Sequence, residues 1–316
     1  MTVTIWCIAT SHPSRRDIRF PIPAILLTTL VLSSRFFFCP LLAGEATRVD
    51  AQAQDSPIEP SRDVVLLAVR QSDLFVVETP NFRISSRLNS VDSIACAQRC
   101  ETLRLELQTK WLPENAPAIW TPKADVVIHR TFDEFRAALG ANSSGASGCV
   151  TVKQEHGRVI QRRIDLRGDV PDWISSALSH ELTHLIIADH FGGRTIPRWA
   201  DEGMAVLAES SEKRAEREKA AAGRASLPLS QLLCAEVYPT ESERAAFYAE
   251  SASLTEFLVR RGGCGRFVKF IKQARSDGYE RALKENYGLD AVCALDREWK
   301  SQKTYSTSRV STPTTR

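Results

Sequence analysis

The spacing of hydrophobic positions changes near residue 171 of this 316-residue chain. Before that point, short runs rich in valine, isoleucine and phenylalanine predict strands, and two longer segments with apolar residues three or four apart predict helices. The first half is therefore expected to be a small mixed sheet that carries two helices. The predicted strands are 74–78, 81–85, 125–129, 149–152 and 159–166, and the predicted helices are 91–111 and 131–139.

After residue 171 the strand signals largely disappear and helical spacing dominates. The order of these elements predicts an α+β fold, with a small N-terminal mixed α/β sheet unit followed by a helical C-terminal half. A cleft between two such halves is a natural place for a binding site. The predicted helices of the second half are 172–190, 197–218, 241–261 and 265–286.

The first 53 residues resemble an export signal. Three arginines between residues 15 and 19 precede a mostly apolar run over 20–32, and Ala51-Gln52-Ala53 offers a small-x-small cleavage site. We therefore expect an exported protein in the periplasm, the cell envelope or the extracellular space. Without cleavage the same segment would anchor the protein to a membrane, although an arginine and a proline interrupt the apolar stretch and disfavour a stable spanning helix.

Composition divides the chain into five segments. The last of them is rich in serine and threonine and has too little apolar surface to fold, so we expect a disordered tail. The segments are a signal peptide or membrane anchor (1–53), a linker (54–73), an N-terminal α/β subdomain (74–170), a helical subdomain (171–300) and the tail (301–316).

Charge and cysteine content narrow the picture further. The formal net charge of +3 is too small to suggest nucleic acid as a partner. The even number of cysteines beyond the cleavage site permits up to three disulfides in an exported chain, and their spacing selects no pairing. These cysteines are Cys96, Cys100, Cys149, Cys234, Cys264 and Cys293.

The segment His180-Glu181-Leu182-Thr183-His184 has the spacing of a metal site. Residues four apart on a helix lie on one face, so the imidazoles of His180 and His184 can reach one metal ion. Glu181 is then directed at water on that metal and can take a proton from it. Zinc is the expected cofactor, because it takes imidazole and carboxylate ligands and keeps an open position when only three ligands come from the protein.

A second segment offers the third ligand. Pro197-Arg198-Trp199-Ala200-Asp201-Glu202-Gly203 begins a new helix after a short connection, and Glu202 lies on an antiparallel neighbour that can face the metal. Asp201 is the alternative ligand, but it lies ~100° away round the helix and fits better as a helix cap or as an acid that supports a ligand. Each histidine is expected to donate its free N–H to a carboxylate, which the sequence does not identify.

Together these two segments resemble the gluzincin zinc metallopeptidases, and more closely the bacterial peptidase MA-like group. That group shows a His-Glu-Leu-Thr-His segment, then a Pro-Arg-Trp segment that ends in Glu-Gly, then a Tyr-rich helix. The resemblance implies a two-part zincin-like fold with the metal site in the cleft. It implies zinc bound by His180, His184 and Glu202, with Glu181 as general base. It also suggests Tyr248 as the group that stabilises the oxyanion, although the spacing of Tyr248 equally fits a core residue.

The leading hypothesis is hydrolysis of peptide bonds in exported polypeptides. The segment with which aminopeptidases of this class bind a free amine has no counterpart here, so aminopeptidase activity is not supported and endopeptidase activity stays open. The alternative is a catalytically silent, zinc-stabilised module that binds peptides or envelope components, and the presence of Glu181 disfavours it. A third hypothesis is a precursor in which residues 74–148 restrain the cleft until processing.

Overall fold

The computed structural model describes residues 2–7, 64–116, 118–140, 146–156, 158–171, 173–192, 194–236 and 239–310. Most of the predicted signal and linker, residues 8–63, lies outside this part of the chain, as does the end of the tail, residues 311–316. The export signal therefore stays a prediction from the sequence.

The strands of the described residues are β1 (Thr2–Cys7), β2 (Leu67–Gln71), β3 (Leu74–Glu78), β4 (Phe82–Ser86), β5 (Ala124–His129), β6 (Gly148–Glu155) and β7 (Arg158–Arg167). They form one mixed sheet in the order β1-β6-β7-β5-β4-β3-β2. The neighbours β4 and β5, and β5 and β7, are parallel, whereas the other neighbouring pairs are antiparallel. The predicted α/β character of the first half is confirmed.

Two of the antiparallel strand pairs in this sheet are tight hairpins. β6 and β7 pair across a turn in which His156 has a φ of 50°. β2 and β3 pair across a turn in which Ser72 has a φ of 59°. β2 lies inside the predicted linker. Its side chains are mostly exposed, so no alternation of buried and polar positions marked it as a strand.

The helices of the described residues are α1 (Ser90–Trp111), α2 (Phe132–Leu139), α3 (Leu178–His190), α4 (Arg198–Val206), α5 (Ser211–Ala221), α6 (Leu229–Leu233), α7 (Glu241–Asp277), α8 (Tyr279–Tyr287) and α9 (Val292–Val310). Local capping explains several starts. Asn89 accepts a hydrogen bond from the Asp92 N–H before α1, and Thr240 and Glu243 form a capping box before α7. None of these helices combines the length and the apolar character that a membrane span requires.

Helix boundaries in the second half differ from the predicted ones. The predicted helix 197–218 is two helices, α4 and α5, because Ser210 caps a new helix and accepts a hydrogen bond from the Lys213 N–H. The predicted break after residue 261 falls at Gly263, inside α7, and the predicted helix 265–286 is interrupted at Gly278. Both glycines have a positive φ, 80° and 85°, which interrupts α-helical geometry.

The last helix also departs from the expectation drawn from composition. α9 continues through residues 301–310, which belong to the segment predicted to be a disordered tail. The helix starts well inside the folded domain, where Leu295 and Trp299 are buried in the core. That packed start supplies a nucleus from which helical structure extends into a polar segment.

α3 is buried along most of its length. A π-helical turn, Trp173–Ala177, leads into it, and every residue from Leu178 to Ala188 is buried. It contacts β6 and β7 on the sheet and packs against α1 and α4. Its apolar face includes Leu178, Leu182 and Leu185, which are all fully buried. The opposite, polar face is buried as well.

The cysteines of the described residues are mostly free thiols. Cys96 and Cys100 are both buried on α1 and form no disulfide. Burial raises the pKa of the Cys100 thiol well above its usual value, so it stays neutral. Cys234, Cys264 and Cys293 are also free, whereas Cys149 is disulfide-bonded.

Candidate metal centre

His180 and His184 lie one turn apart on the same face of α3. Their Nε2 atoms are 3.1 Å from each other, and their rings meet at 77° with centroids 4.8 Å apart. Both side chains are almost completely buried. The four-residue spacing therefore brings the two imidazoles together, as the helical geometry predicts.

Glu202 approaches both histidines from α4. Its Oε2 atom lies 3.4 Å from His180 Nε2 and 3.6 Å from His184 Nε2. Trp199 anchors the start of α4. Its fully buried indole packs on Phe267 and donates its N–H to the Tyr279 hydroxyl over 2.9 Å. These contacts hold the start of α4, the helix that carries Glu202, in place.

Gly203 allows α4 to pack closely against α7. A Cβ atom at this position would lie 2.5 Å from the Ser251 carbonyl oxygen and closer still to the Thr255 hydroxyl. Only a glycine leaves room for that approach, because a methyl group would overlap with the backbone of α7. The glycine after Glu202 thus serves the packing that holds the carboxylate in place.

The three facing atoms have the spacing that zinc requires. Zinc–ligand distances of about 2.0–2.2 Å and tetrahedral angles place neighbouring ligand atoms about 3.3 Å apart. The three measured separations, 3.1, 3.4 and 3.6 Å, bracket that value. Across the described residues, His180, His184 and Glu202 are the group of potential ligands that converges in this way. The donor set of two imidazoles and one carboxylate fits zinc.

A carboxylate supports the outer nitrogen of each histidine. His184 Nδ1 lies 2.9 Å from Asp201 Oδ1, and His180 Nδ1 lies 2.7 Å from Glu209 Oε1. When Nδ1–H donates to a carboxylate, the lone pair of Nε2 is directed inward to the ligand position. Asp201 therefore lies at the outer nitrogen of His184, where its position on the helix suggested a support, and Glu209 is the partner of His180 that the sequence did not reveal.

The charges of this cluster favour a cation. Burial by itself would lower the pKa of His180, but hydrogen bonds to Glu202 and Glu209 raise it to about 10. Burial would raise the pKa of Glu209, yet its hydrogen bonds from His180 and Arg217 hold it at about 2. Several carboxylates thus surround two imidazoles, and a positive charge among them is stabilised.

Glu181 lies beside the ligands with both carboxylate oxygens free. It is fully buried, and neither oxygen has a hydrogen-bond partner among the described residues. Burial raises its pKa to about 7. Gly148, at the start of β6, lies directly against it. A Cβ atom there would be 2.5 Å from Glu181 Cγ and 2.7 Å from Glu181 Oε1. A buried carboxylate without a partner is costly, so its presence points to a role in chemistry.

Tyr248 lies on α7, near the same carboxylates. Its side chain is 3% exposed, and its hydroxyl has no hydrogen-bond partner in the described part of the chain. Burial, together with the negative charges of Glu202 and Glu181, raises its pKa well above 10. The hydroxyl therefore stays protonated and can donate a hydrogen bond. Tyr248 is a buried residue with an unused donor, which combines the two interpretations left open by the sequence.

Two groups of the site were not predicted. Glu209 follows α4, and Arg217 reaches Glu209 from the surface helix α5. No residue of α5 is buried as a whole. No signal in the sequence marked Glu209, because it lies beyond the end of α4, where helical spacing from Glu202 no longer applies. No local pattern marks Arg217.

Comparison with known proteins adds a family to this geometry. Residues 126–304, more than half of the chain, match the family model of the Peptidase MA superfamily. The matched range begins in β5, ends in α9 and includes every residue of the site described above. None of the curated proteins is similar enough to count as a match.

Proposed function

Because the chain belongs to the Peptidase MA superfamily, we propose that it is a zinc-dependent peptidase of the gluzincin type. One observation carries this proposal. His180, His184 and Glu202 converge beside the carboxylate of Glu181, which has no hydrogen-bond partner in the residues that the structure describes. A purely structural zinc site commonly has four protein ligands and has no use for such a carboxylate. Three ligands with an adjacent buried acid are typical of a catalytic site.

The proposed roles follow from where each group lies. His180, His184 and Glu202 would hold the zinc, which would act as a Lewis acid toward water and toward the carbonyl group of the scissile peptide. Glu181 would take the proton of the attacking water and pass it to the departing amine. Neither oxygen has another hydrogen bond in the described part of the chain, so both are available for that transfer.

Tyr248 is proposed to stabilise the oxygen that gains negative charge. Its hydroxyl is buried and has no other partner in the described residues, so forming this bond breaks no existing one. Loss of one preorganised donor of this kind lowers kcat by roughly 10²–10³-fold. The substrate class is peptide or protein, and the choice between endopeptidase and exopeptidase is left to experiment.

The test compares wild type with Glu181→Gln on a mixed peptide library, with cleavage followed by mass spectrometry. The amide cannot accept the proton, so we expect turnover to fall by roughly 10²–10⁴-fold while bound zinc is unchanged. Glu216→Gln, an equal substitution at an exposed position of α5, is the matched control and should cleave like wild type.

Each other outcome has a definite meaning. Zinc-loaded wild type that cleaves no peptide would favour the zinc-stabilised binding module instead. Wild type that binds no zinc would contradict the proposal itself.

We also propose that the protein acts outside the cytoplasm, on exported polypeptides. The proposal rests on the basic and apolar pattern of residues 1–53 and on the Ala51-Gln52-Ala53 segment. The test is to fractionate cells that produce the full chain and to determine its N-terminal residue. A product that begins near residue 54 in the exported fraction is expected, and this cleavage would separate β1 (Thr2–Cys7) from its neighbour β6. A cytoplasmic product that retains Met1 would contradict export.

A further inference from the structure

α5 is a surface helix from which one arginine reaches the interior. No residue of α5 is buried as a whole, and most of its side chains are charged and solvated. The Arg217 side chain is 23% exposed and extends from this helix into the region of the metal site. Within that region it contacts two groups that have different proposed roles.

The first contact is a two-pronged ion pair with Glu209. Arg217 Nε donates to Glu209 Oε2 and one terminal nitrogen donates to Oε1, both over 2.6 Å. Oε1 is also the atom that lies 2.7 Å from His180 Nδ1. Because both oxygens of Glu209 accept hydrogen bonds from Arg217, the carboxylate cannot rotate away from the His180 imidazole.

The second contact is with the ring of Tyr248. The guanidinium carbon of Arg217 lies 4.8 Å from the ring centroid, in the arrangement of a cation–π pair. The same ring carries the hydroxyl that lies near Glu202 and Glu181 and has no hydrogen-bond partner among the described residues. Arg217 therefore lies between Glu209, which contacts the proposed ligand His180, and Tyr248, which is proposed to act on the substrate.

We propose that Arg217 is a positioning residue, which fixes Glu209 against His180 and holds the ring of Tyr248 in place. The Tyr248 half rests on the proposed peptidase function, whereas the Glu209 half concerns zinc binding alone. Arginine suits both contacts, because its planar fork matches a carboxylate and its flat face stacks on an aromatic ring. A lysine would keep the positive charge but would lack the planar pair of N–H donors that binds both carboxylate oxygens.

The zinc test uses the full chain and competition with a chelator. Arg217→Gln should weaken zinc binding about 10-fold, because loss of a group that supports a ligand typically has an effect of this size. Arg217→Lys should recover part of the affinity, since it restores the positive charge next to Glu209. The control is Lys219→Gln, which removes one positive charge at an exposed position of the same helix and should bind zinc like wild type.

A double-mutant cycle separates positioning from a general structural effect. If Arg217 acts through Glu209, Arg217→Gln should cost little further zinc affinity in a Glu209→Gln background. An arginine that only ties α5 to the body would lower affinity equally in both backgrounds. The proposal would be overturned if Arg217→Gln lowered zinc affinity equally in the wild-type and Glu209→Gln backgrounds. It would also be overturned if Arg217→Gln alone bound zinc as tightly as Lys219→Gln.

Turnover at saturating zinc tests the Tyr248 half. Arg217→Gln should lower kcat by about 10-fold with little change in KM, and the loss should shrink in a Tyr248→Phe background. Equal losses with and without the hydroxyl would overturn this half. If the wild type proves inactive on peptides, the zinc cycle still decides the Glu209 half, so the two failures are distinguishable.

Discussion

His129 and His180 are both buried histidines next to a buried carboxylate. In both cases an arginine donates two N–H groups to that carboxylate. His129 Nε2 lies 2.7 Å from Asp165 Oδ1, which also accepts from Arg163. His180 Nδ1 lies 2.7 Å from Glu209 Oε1, which also accepts from Arg217. The two sets of side chains are chemically alike.

They differ in what surrounds the imidazole. The ring of His129 packs edge to face on Phe135, with centroids 5.6 Å apart, and no second ligand converges on it among the described residues. The second nitrogen of His180 faces His184 and Glu202. A carboxylate partner therefore does not by itself mark a metal ligand. The deciding feature is whether the other ring nitrogen meets further ligands.

Removing one histidine from each cluster gives the largest expected difference. His184→Ala should abolish zinc binding, because the remaining imidazole and carboxylate do not complete a three-ligand site. His129→Ala should leave about one zinc per chain, since its cluster has no convergent ligands. Metal analysis of both purified proteins checks this. If both His184→Ala and His129→Ala lost zinc, or if neither did, the two histidine clusters would not differ in metal binding as proposed.

A methyl group beside Glu181 tests whether the freedom of this carboxylate matters. Gly148→Ala places a Cβ atom where Glu181 Cγ lies 2.5 Å away, so the carboxylate must move. A displacement of this kind is expected to lower kcat roughly 100-fold while zinc stays bound. Kinetics with metal analysis measures both effects. Gly265→Ala, on α7, is the control, and turnover equal to that control would show that the position of Glu181 is not critical.

Neutralising the acid partner in each cluster gives the smallest expected effects. Asp201→Asn should weaken zinc binding about 10-fold by loosening His184. Asp165→Asn should leave zinc binding unchanged and lower the free energy of unfolding by about 2 kcal/mol, because it weakens hydrogen bonds between charged groups. Chelator competition and denaturant unfolding measure the two quantities. A loss of zinc affinity in Asp165→Asn would mean that the clusters are coupled.

The sequence predicted the parts of the site that depend on local geometry. His180 and His184 are neighbours because of helical spacing alone, and Glu202 follows on the next helix. Glu209 and Arg217 could not be paired in advance, because their contact depends on how the chain turns after α4 and on the orientation of α5. The approach of Gly148 to Glu181 is likewise a distance between a strand and a helix that are far apart in the sequence.

The fold shows the same limit. β3 was predicted with its observed ends, because apolar residues and flanking turn residues define it locally. β2 was missed because its pairing with β3 needs few apolar side chains. The order of the strands, in which β7 lies between β6 and β5, depends on a crossover that no local pattern encodes.

X-ray absorption at the zinc edge of the purified full chain tests the central claim most directly. The account predicts a low coordination number, with two imidazole nitrogens and one or more oxygens at about 2.0–2.2 Å and no sulfur. A sulfur shell, a single imidazole or a protein that takes up no zinc would contradict the account.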